Sequence, residues 1–327
     1  MSTTIHVTSA GWMTTFQDLG RRDAERLGVP TGGAADQHSA AVANILVGNG
    51  YGDTLIESIG GELALVPEGN ILVAVTGAPV DVTVNGARVE PWSPVVVPRS
   101  QELRIRETGG GMRTYLAING HVHSERFLGS TAPDPRMGFT QKIGVGESLF
   151  VDTSFAGFKR DYFDQPLFRL PSPTLDFPAN SWTIDIVEGR ALEQIPSMRE
   201  LLSESTYVVT DRSNHVGLRL DGPVAHPESD DEIVSHGVPI GALEVPHADE
   251  LIVLGRYRTL TAGYPIVGFA TRASLALLGQ AGPGRHLRFR WVDHEAAVRK
   301  ETQRRLSLDG LRFAVREAFD ALGFSQP

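Results

Sequence analysis

Short apolar runs separated by turn-forming residues fill the chain from Leu63 to residue 119. The runs are rich in Val, Ile, Leu and Thr and recur at intervals of about 8 to 12 residues, which is typical of β-sandwiches and barrels. Asn85-Gly86 lies between two runs and predicts a two-residue hairpin, because both central residues of that turn need positive φ. The pattern predicts strands at residues 5–8, 63–66, 71–77, 80–84, 88–92, 94–98, 102–107 and 112–119.

The β pattern resumes after a proline-rich stretch at residues 170–181. Because prolines interrupt strands, we place a domain boundary there, between residues 173 and 174. The sequence LRIR at 103–106 is echoed by LRFR at 287–290, so the two halves are expected to repeat one β-architecture. Strands are predicted at residues 182–189, 207–210, 217–222, 250–255, 265–271 and 286–292.

Three segments have helical patterns. Asp36 occupies an N-cap position ahead of a small, mostly apolar helix that ends near Gly48. A second helix is predicted at residues 197–205. The tail at 294–327 predicts an amphipathic helix that either docks on the protein's own core or faces a partner, with Leu311, Val315, Ala318, Phe319 and Leu322 on one face. The sequence therefore predicts a mainly β protein with a few helices, divided into residues 1–173, 174–293 and the helical tail.

Composition narrows the function classes. The 327 residues include 41% hydrophobic residues, carry a formal charge of -9 and contain no cysteine. The acidic balance argues against nucleic-acid binding, and the missing thiols exclude disulfides and cysteine nucleophiles. The first residues lack the basic start and apolar run of a signal peptide, and no apolar stretch approaches the length of a membrane span. We expect a soluble cytoplasmic protein that binds neither nucleic acid nor membrane.

The stretch 16–37, FQDLGRRDAERLGVPTGGAADQ, concentrates hydrogen-bonding side chains and flexible glycines. A loop of this composition can hold a small polar ligand, although composition alone favours a solvated connection with a salt bridge or two. Asp36 has two candidate roles, as the helix N-cap or as a ligand contact. The candidate binding residues of this stretch are Gln17, Asp18, Arg21, Gly32, Gly33 and Asp36.

The second half carries two further polar clusters beside turns. Arg219 follows Asn214 and can offer a planar fork to a carboxylate, either of a ligand or of the protein itself. Arg258, Thr261 and Tyr264 lie in RYRTLTAGYP and supply donors for anionic or amide oxygens. No phosphate-loop, zinc-protease or GxSxG motif occurs. The histidines lack metal-ligand spacing apart from His121 and His123, which alternate at a strand end and are interpreted as surface histidines, so no metal is predicted.

Several separated phrases together resemble one known family. They are TTFQDLGR, LGVPTGGAADQHSAAVANILVGN, ESIGGELAL, VAVTGAPVDVTVNG, MRTYLAINGHV, SNHVGLRLDGP, SHGVPIGALEVP and LTAGYP. In this order they resemble the allophanate hydrolase subunit 2 family, also described as the C subunit of 5-oxoprolinase, as a kinase-inhibitor antagonist and as half of a biotin-dependent carboxyltransferase. The resemblance covers residues 5 to about 292 and implies two cyclophilin-like β-barrel halves in tandem.

The chain departs from the family pattern at three positions. Tyr257 stands where relatives usually carry the Asp of Asp-Arg-Gln-Thr-Thr-Gly-Gly-Tyr-Pro, and Glu244 replaces a Gln. His215 replaces the residue after Ser-Asn, usually Arg. A tyrosine with an ordinary pKa of about 10 cannot act as a base at neutral pH. Either Glu244 compensates, or the specificity differs, or the chain is a regulatory relative.

The resemblance implies three functions, which we rank. The first is a subunit of a heteromeric ATP-dependent lactam hydrolase of 5-oxoprolinase type, acting with a B-subunit-like (allophanate hydrolase subunit 1-like) partner. The second is half of a biotin-dependent carboxyltransferase acting on urea or another amide, and the third is a noncatalytic antagonist of a kinase inhibitor. In the first, ATP is used by the complex. Asp18, Arg258 and Glu244 are the predicted catalytic residues, and the substrate-binding residues are Gln17, Arg21, Gly32, Gly33, Asp36, Asn214, Arg219, Thr261 and Tyr264.

Overall fold

The computed structural model describes residues 2–159, 170–227, 233–246 and 250–324. The chain forms two compact units. The first comprises Met1–Arg21, Gln37–Asp176 and Arg305–Pro327, and the second comprises Arg22–Asp36 and Phe177–Arg304. Both units are mainly β, which confirms the predicted fold class. This grouping places segment 22–36 with the second unit and residues 305–327 of the tail with the first unit. The three-part division made from the sequence stays a prediction.

The first unit contains two antiparallel sheets and one buried helix. A seven-stranded sheet has the order β11-β12-β1-β4-β9-β6-β7, and a five-stranded sheet has the order β2-β3-β10-β5-β8. The strands are β1 (Ser2–Ser9), β2 (Met13–Gln17), β3 (Leu55–Ile59), β4 (Glu62–Pro67), β5 (Ile71–Gly77), β6 (Val80–Val84), β7 (Ala87–Val89), β8 (Pro94–Val97), β9 (Leu103–Glu107), β10 (Arg113–Ile118), β11 (His121–Val122) and β12 (Ser148–Asp152). The helix is α1 (Gln37–Leu46).

Burial explains the local patterns of the first unit. β5 is buried along its whole length because it pairs with β10 and β8 inside its sheet. β6 alternates buried and half-buried residues, and Val84 pairs with Ala87 across the predicted hairpin. Asn85 and Gly86 have φ values of 48° and 82°, so both central residues adopt the left-handed region as predicted. α1 is rich in alanine and is buried from its second residue to its last.

The second unit closes into a barrel. Seven strands follow the order β13-β20-β17-β18-β15-β14-β21, and β16 pairs with β19 in a separate ribbon. The strands are β13 (Trp182–Glu188), β14 (Tyr207–Val209), β15 (Gly217–Asp221), β16 (His236–Gly237), β17 (Ala242–Glu244), β18 (Leu251–Leu254), β19 (Thr261–Ala262), β20 (Ile266–Ala270) and β21 (His286–Trp291). Its helices are α2 (Ser197–Glu204) and α3 (Leu275–Gln280), and a 3-10 turn spans Ala24–Leu27.

The barrel has an apolar interior and a smaller apolar cluster formed by other residues of the same unit. Trp182, Tyr207 and Phe289 belong to the main core and are nearly inaccessible to solvent. The smaller cluster contains Val238, Ala242, Leu254 and Ile266 and is hereafter the secondary cluster. Its members come from β17, β18, β20 and the residue after β16, which makes this part of the unit a second buried environment.

The predicted tail forms a single long helix, α4 (His294–Ala321). Lys300 in its first third donates to the buried carboxylate of Asp185 at 2.7 Å. Toward its end, the ring of Phe319 lies 5.7 Å from that of Phe158. Leu311, Val315, Phe319 and Leu322 are buried, so the predicted apolar face packs on the protein itself. Phe313 and Leu306 on the same helix are each 66% exposed.

Gly120 and Gly86 offer a direct test of this architecture, because both have positive φ. An alanine Cβ at Gly120 would lie 2.1 Å from the carbonyl oxygen of Asp152, whereas at Gly86 it would meet nothing within 4 Å. We expect Gly86→Ala to lower the free energy of unfolding by about 1 kcal/mol, the cost of the left-handed conformation. Gly120→Ala should cost roughly 3 kcal/mol, because the neighbouring backbone must also move. Urea unfolding measures both, and equal losses would contradict the described contact.

Candidate functional site

Asp18 is a buried carboxylate whose oxygens are already used within the first unit. Its Oδ1 accepts hydrogen bonds from the Gly20 N–H at 2.7 Å and from the Ser130 hydroxyl at 2.6 Å. Its Oδ2 accepts from the Thr131 N–H at 2.9 Å. These bonds tie the end of β2 to the loop 127–139. Such a carboxylate is built to hold a loop, so the predicted catalytic role of Asp18 stays a prediction that its surroundings do not favour.

Arg21 lies in the same region and is 1% exposed. Its Nη2 donates to the carbonyl oxygen of Ala132, and its guanidinium carbon lies 5.2 Å and 6.0 Å from the ring centres of Phe127 and Phe139. Nε and Nη1 have no hydrogen-bond partner among the described residues. A buried cation normally has a carboxylate or several acceptors around it. Arg21 has one carbonyl and two aromatic rings, which leaves it suited to an anion.

Gln17 ends β2 and is also buried. Its Nε2 donates to Thr15 Oγ1 at 3.3 Å, while its Oε1 has no hydrogen-bond partner among the described residues. An amide oxygen in this state can accept from a ligand N–H. Gln17, Asp18 and Arg21 thus all belong to the first unit, and two of them retain unused polar atoms.

Gly32, Gly33 and Asp36 of the predicted loop belong to the second unit. Gly32 donates its N–H to the Arg256 carbonyl at 3.1 Å and accepts from Arg256 Nε at 2.6 Å. Gly32 and Gly33 have φ values of 60° and 88°, a conformation that glycine adopts without strain. Asp36 is fully buried and accepts from Gln280 Nε2 at 2.9 Å. These contacts fasten segment 22–36 to the rest of its unit.

Arg258 is the most strongly buried cation of the second unit's candidate set, at 4% exposure. Its Nε donates to the Val238 carbonyl at 2.6 Å, and its Nη2 donates to Glu25 Oε1 at 2.9 Å. Nη1 has no partner among the described residues. The guanidinium thus contacts the backbone of Val238, a member of the secondary cluster, and keeps one nitrogen unused.

Glu244 ends β17 and is 4% exposed. A bulge between Leu243 and Glu244 shifts the pairing of β17 with β20. Glu244 pairs with Ile252 of β18 and with Ile266 of β20; Ile266 belongs to the secondary cluster and Ile252 packs against it. Its Oε1 has no hydrogen-bond partner among the described residues. Burial raises the pKa of this carboxyl, and the electrostatic influence of His236 only partly opposes the effect. A buried carboxyl with a raised pKa in a cleft or pocket is a candidate acid or base.

The other predicted residues of the second unit are placed differently. The guanidinium of Arg219 is directed to the protein's own carboxylate Glu250, which also forms an ion pair with Arg212 at 3.0 Å. Asn214 is exposed and accepts from the Val216 N–H at 2.8 Å, as in a local turn. Thr261 and Tyr264 are exposed in and beside β19. These four residues therefore lack the burial that Arg258 and Glu244 share.

Sequence reasoning missed two residues that surround Arg258 and Glu244. Glu25 holds Arg258, and His236 acts electrostatically on Glu244. Glu25 lies in a charged segment where nothing marks it out, and His236 lies in the separate ribbon of β16 and β19. His215 and Tyr257, two departures from the family pattern, meet edge to face with ring centres 5.4 Å apart. Only the fold brings these residues together.

The described part of the chain offers no metal cluster and no membrane span. Among residues 2–159, 170–227, 233–246 and 250–324, no group of three His, Cys, Asp or Glu side chains could hold a metal ion. His121 and His123 lie edge to face with ring centres 5.3 Å apart, and His123 contacts Asp152 at 2.7 Å. Every helix in these same ranges is too short or too polar to cross a membrane.

Comparison with known proteins defines the class. Residues 27–291 match the family model described as the carboxyltransferase domain, subdomain A and B, and the chain belongs to this family. It is 26% identical over 312 residues to the C subunit of 5-oxoprolinase from Escherichia coli, a match that covers 92% of this chain and 96% of that protein. The predicted resemblance is thereby confirmed.

Two further relatives are much longer proteins. The urea amidolyase of Lachancea kluyveri is 28% identical over 91% of this chain, which spans only 17% of that protein. The crystal structure of the Kluyveromyces lactis urea amidolyase superposes with a TM-score of 0.84 at 24% identity, over 94% of this chain and 20% of that one. The latter similarity shows the shared fold. This chain therefore matches one relative, a 5-oxoprolinase subunit, over nearly its full length, and it matches the urea amidolyases over only a part of theirs.

The bonds at Asp18 lead to a stability prediction. Asp18→Asn replaces one acceptor oxygen by an NH2 group that faces existing donors, so we expect the free energy of unfolding to fall by roughly 2 to 3 kcal/mol. The matched control is Asp81→Asn, whose exposed pair with Arg88 spans 3.5 Å and should contribute less than about 1 kcal/mol. Urea unfolding of the full chain measures both. A loss at Asp18 no larger than at Asp81 would contradict the structural role.

The raised pKa of Glu244 leads to a pH prediction. The folded state favours the protonated carboxyl of Glu244. As the pH rises from 4.5, the ordinary pKa of a glutamate, through the raised pKa of the folded state, this residue therefore lowers the stability of the protein progressively. Glu244→Gln should remove that dependence and make the protein more stable than wild type at pH 7 and above. Thermal unfolding from pH 4 to pH 8 tests this, with exposed Glu204→Gln as control. Parallel profiles for wild type and Glu244→Gln would refute the prediction.

Proposed function

We propose that this chain is a subunit of a heteromeric ATP-dependent lactam hydrolase of 5-oxoprolinase type. The observation that carries the proposal is the correspondence with the C subunit of 5-oxoprolinase, which extends over 92% of this chain and 96% of the relative. The urea amidolyase of Lachancea kluyveri corresponds to this chain over only 17% of its own length. Because the match extends over nearly the whole C subunit of 5-oxoprolinase, we rank the 5-oxoprolinase function first.

The proposed partner resembles the B subunit of 5-oxoprolinase, also described as allophanate hydrolase subunit 1-like, and the assembly works in the cytoplasm. The complex adds water across the lactam C–N bond, so that the carbonyl carbon gains a hydroxyl and the nitrogen gains a proton. Hydrolysis of ATP would supply the driving force. Since this chain has no GxxxxGK[ST] sequence, we assign no nucleotide chemistry to its residues.

The proposed roles follow from the unused polar atoms. Arg258 Nη1 and the Nε and Nη1 atoms of Arg21 are suited to donate to substrate oxygens, and Gln17 Oε1 is suited to accept an amide N–H. Glu244 is suited to carry the proton, because it is buried with Oε1 unpartnered among the described residues and its pKa is raised by burial. We propose a positioning role for Asp18, and we retain Asn214, Arg219, Thr261 and Tyr264 only as peripheral candidates.

A second candidate function is half of a biotin-dependent carboxyltransferase that passes a carboxyl group to urea or another amide. The family description and the fold shared with urea amidolyase favour it. In that function the same donors would bind an amide, and biotin would arrive on a separate carrier. The two proposals differ in the co-substrate that they require. The lactam hydrolase consumes ATP when 5-oxoproline is present, whereas the carboxyltransferase needs carboxybiotin.

Reconstitution tests the proposal. The chain is mixed with a partner that resembles the B subunit and with any further candidate component encoded beside it, and ATP hydrolysis is followed with and without 5-oxoproline. We expect 5-oxoproline-dependent hydrolysis that disappears when this chain is omitted. An assembled complex that shows no such dependence, yet carboxylates urea from carboxybiotin, would replace the first proposal by the second.

Substitution of the two buried arginines tests their assignment to substrate. Arg21→Ala and Arg258→Ala should each lower kcat/KM of the complex by a factor that corresponds to roughly 1 to 3 kcal/mol, as for hydrogen bonds to charged groups. Arg88→Ala is the control, because the Arg88 side chain is 81% exposed. Circular dichroism and thermal unfolding show whether each variant is folded. Folded variants with wild-type kinetics at both arginines would remove the proposed contacts.

A further inference from the structure

The guanidinium of Arg258 is fixed at two of its three nitrogens. Nε donates to the carbonyl oxygen of Val238 at 2.6 Å, and Nη2 donates to Glu25 Oε1 at 2.9 Å. A planar guanidinium held at two corners has a defined orientation. The third nitrogen, Nη1, is buried and has no partner among the described residues, so its direction is set by the other two contacts.

Glu25 is itself held in place. The hydroxyl of Thr31 donates to the same Oε1 atom at 2.6 Å, and Arg256 adds a second positive charge nearby. The Thr31 hydrogen bond, followed by Arg258, lowers the pKa of the Glu25 carboxyl. Arg256 is in turn fastened to Gly32 through its Nε at 2.6 Å. Segment 22–36 therefore presents an ordered carboxylate to Arg258.

A plain salt bridge does not account for this arrangement. The Glu25 side chain is 45% exposed, and ion pairs with such exposure contribute little to stability. The Arg258 side chain is 4% exposed and keeps one nitrogen without an acceptor in the described part of the chain, which is costly in a buried position. A stabilising pair would use the available donors, whereas a binding site retains one for its ligand.

We infer that Glu25 is the positioning residue that orients Arg258 so that Nη1 donates a hydrogen bond to an oxygen of the substrate. The substrate oxygen belongs to an amide or a carboxylate, the acceptors that a guanidinium N–H prefers. The inference rests on the proposed function for the identity of the substrate. It adds a residue with no role in the predicted set, and it makes Thr31 a support of Glu25.

Kinetics and arginine-selective 15N NMR on the full chain test the inference together. The Arg258 Nε–Hε signal is assigned by its loss in Arg258→Lys. We expect Glu25→Ala to shift or broaden this signal and to raise KM for 5-oxoproline in the reconstituted complex by about 10-fold or more. Glu25→Gln keeps an oxygen acceptor and should give a smaller effect in both readouts. Glu204→Gln, an exposed substitution in the same unit, should leave both unchanged.

The pH profile separates positioning from a merely structural role. Protonation of Glu25 removes the charge facing Arg258 and Arg256, so the Arg258 signal should change as the pH falls below the ordinary glutamate value of 4.5. Thr31→Val removes the hydroxyl that stabilises the carboxylate, and the change should then occur at higher pH. Thermal unfolding of each variant identifies any that fail to fold. If Glu25→Ala does not fold, the conservative variants Glu25→Gln and Thr31→Val still test the inference.

The outcomes distinguish this inference from the proposed function. A wild-type complex without 5-oxoproline-dependent ATP hydrolysis overturns the proposed function, while the NMR and pH readouts on Arg258 still test the role of Glu25. Wild-type Arg258 signals in folded Glu25→Ala overturn the inference. So does a KM that rises in Arg258→Lys but stays at the wild-type value in Glu25→Ala, because Arg258 would then be oriented without Glu25.

Discussion

Burying a charged side chain demands a partner for each of its polar atoms, and this constraint organises the protein. Asp18 meets it with donors from Gly20, Ser130 and Thr131, and Asp185 meets it with Lys300 and Arg290. Where the constraint is met, the charge joins segments that are distant in sequence. Asp18 fixes the loop after residue 126, and Asp185 fixes the first third of the C-terminal helix.

Arg21, Arg258 and Glu244 form the contrasting set, because each is buried and keeps an unused polar atom among the described residues. In each case, apolar or aromatic neighbours lie beside the charged group. Phe127 and Phe139 flank Arg21. Arg258 donates to the carbonyl oxygen of Val238 and Glu244 pairs with Ile266, and both partners belong to the secondary cluster. Unmet hydrogen bonding in a stable fold is common at sites that bind a ligand, since the ligand supplies the missing partners. The chemistry of these three residues therefore carries the functional account.

Periodicity and turn chemistry predict the sheets where strands obey simple rules. β6 alternates regularly and Asn85-Gly86 closes its hairpin, so both are predicted correctly. β3 escapes prediction because Glu57 and Ser58 are buried beside its apolar residues and disguise the pattern. α3 escapes it because six residues hold too few helical turns to show a period. The stretch 16–37 is predicted as one loop, yet it begins inside β2 and contains a 3-10 turn.

The candidate site is predictable only as a set of residue types. The sequence singles out Arg21, Arg258 and Glu244 as candidates. What they share is burial in the folded chain, and the spacing of residues along the sequence does not reveal it. Arg219 is misleading, because its partner Glu250 lies 31 residues away and becomes a neighbour only through the pairing of β15 with β18. Glu25 is overlooked for the converse reason, since the residue it holds is 233 positions further along the chain.

The measurement that tests the central claim most directly is a crystal structure of the assembled complex with 5-oxoproline bound. The account predicts that an oxygen of the ligand lies at about 3 Å from Nη1 of Arg258, the usual N–H···O distance, while Glu25 still holds Nη2. A ligand bound in the complex without any contact to Arg258, Arg21 or Glu244 would contradict the claim that these unused buried polar atoms are the ligand-binding groups of this chain.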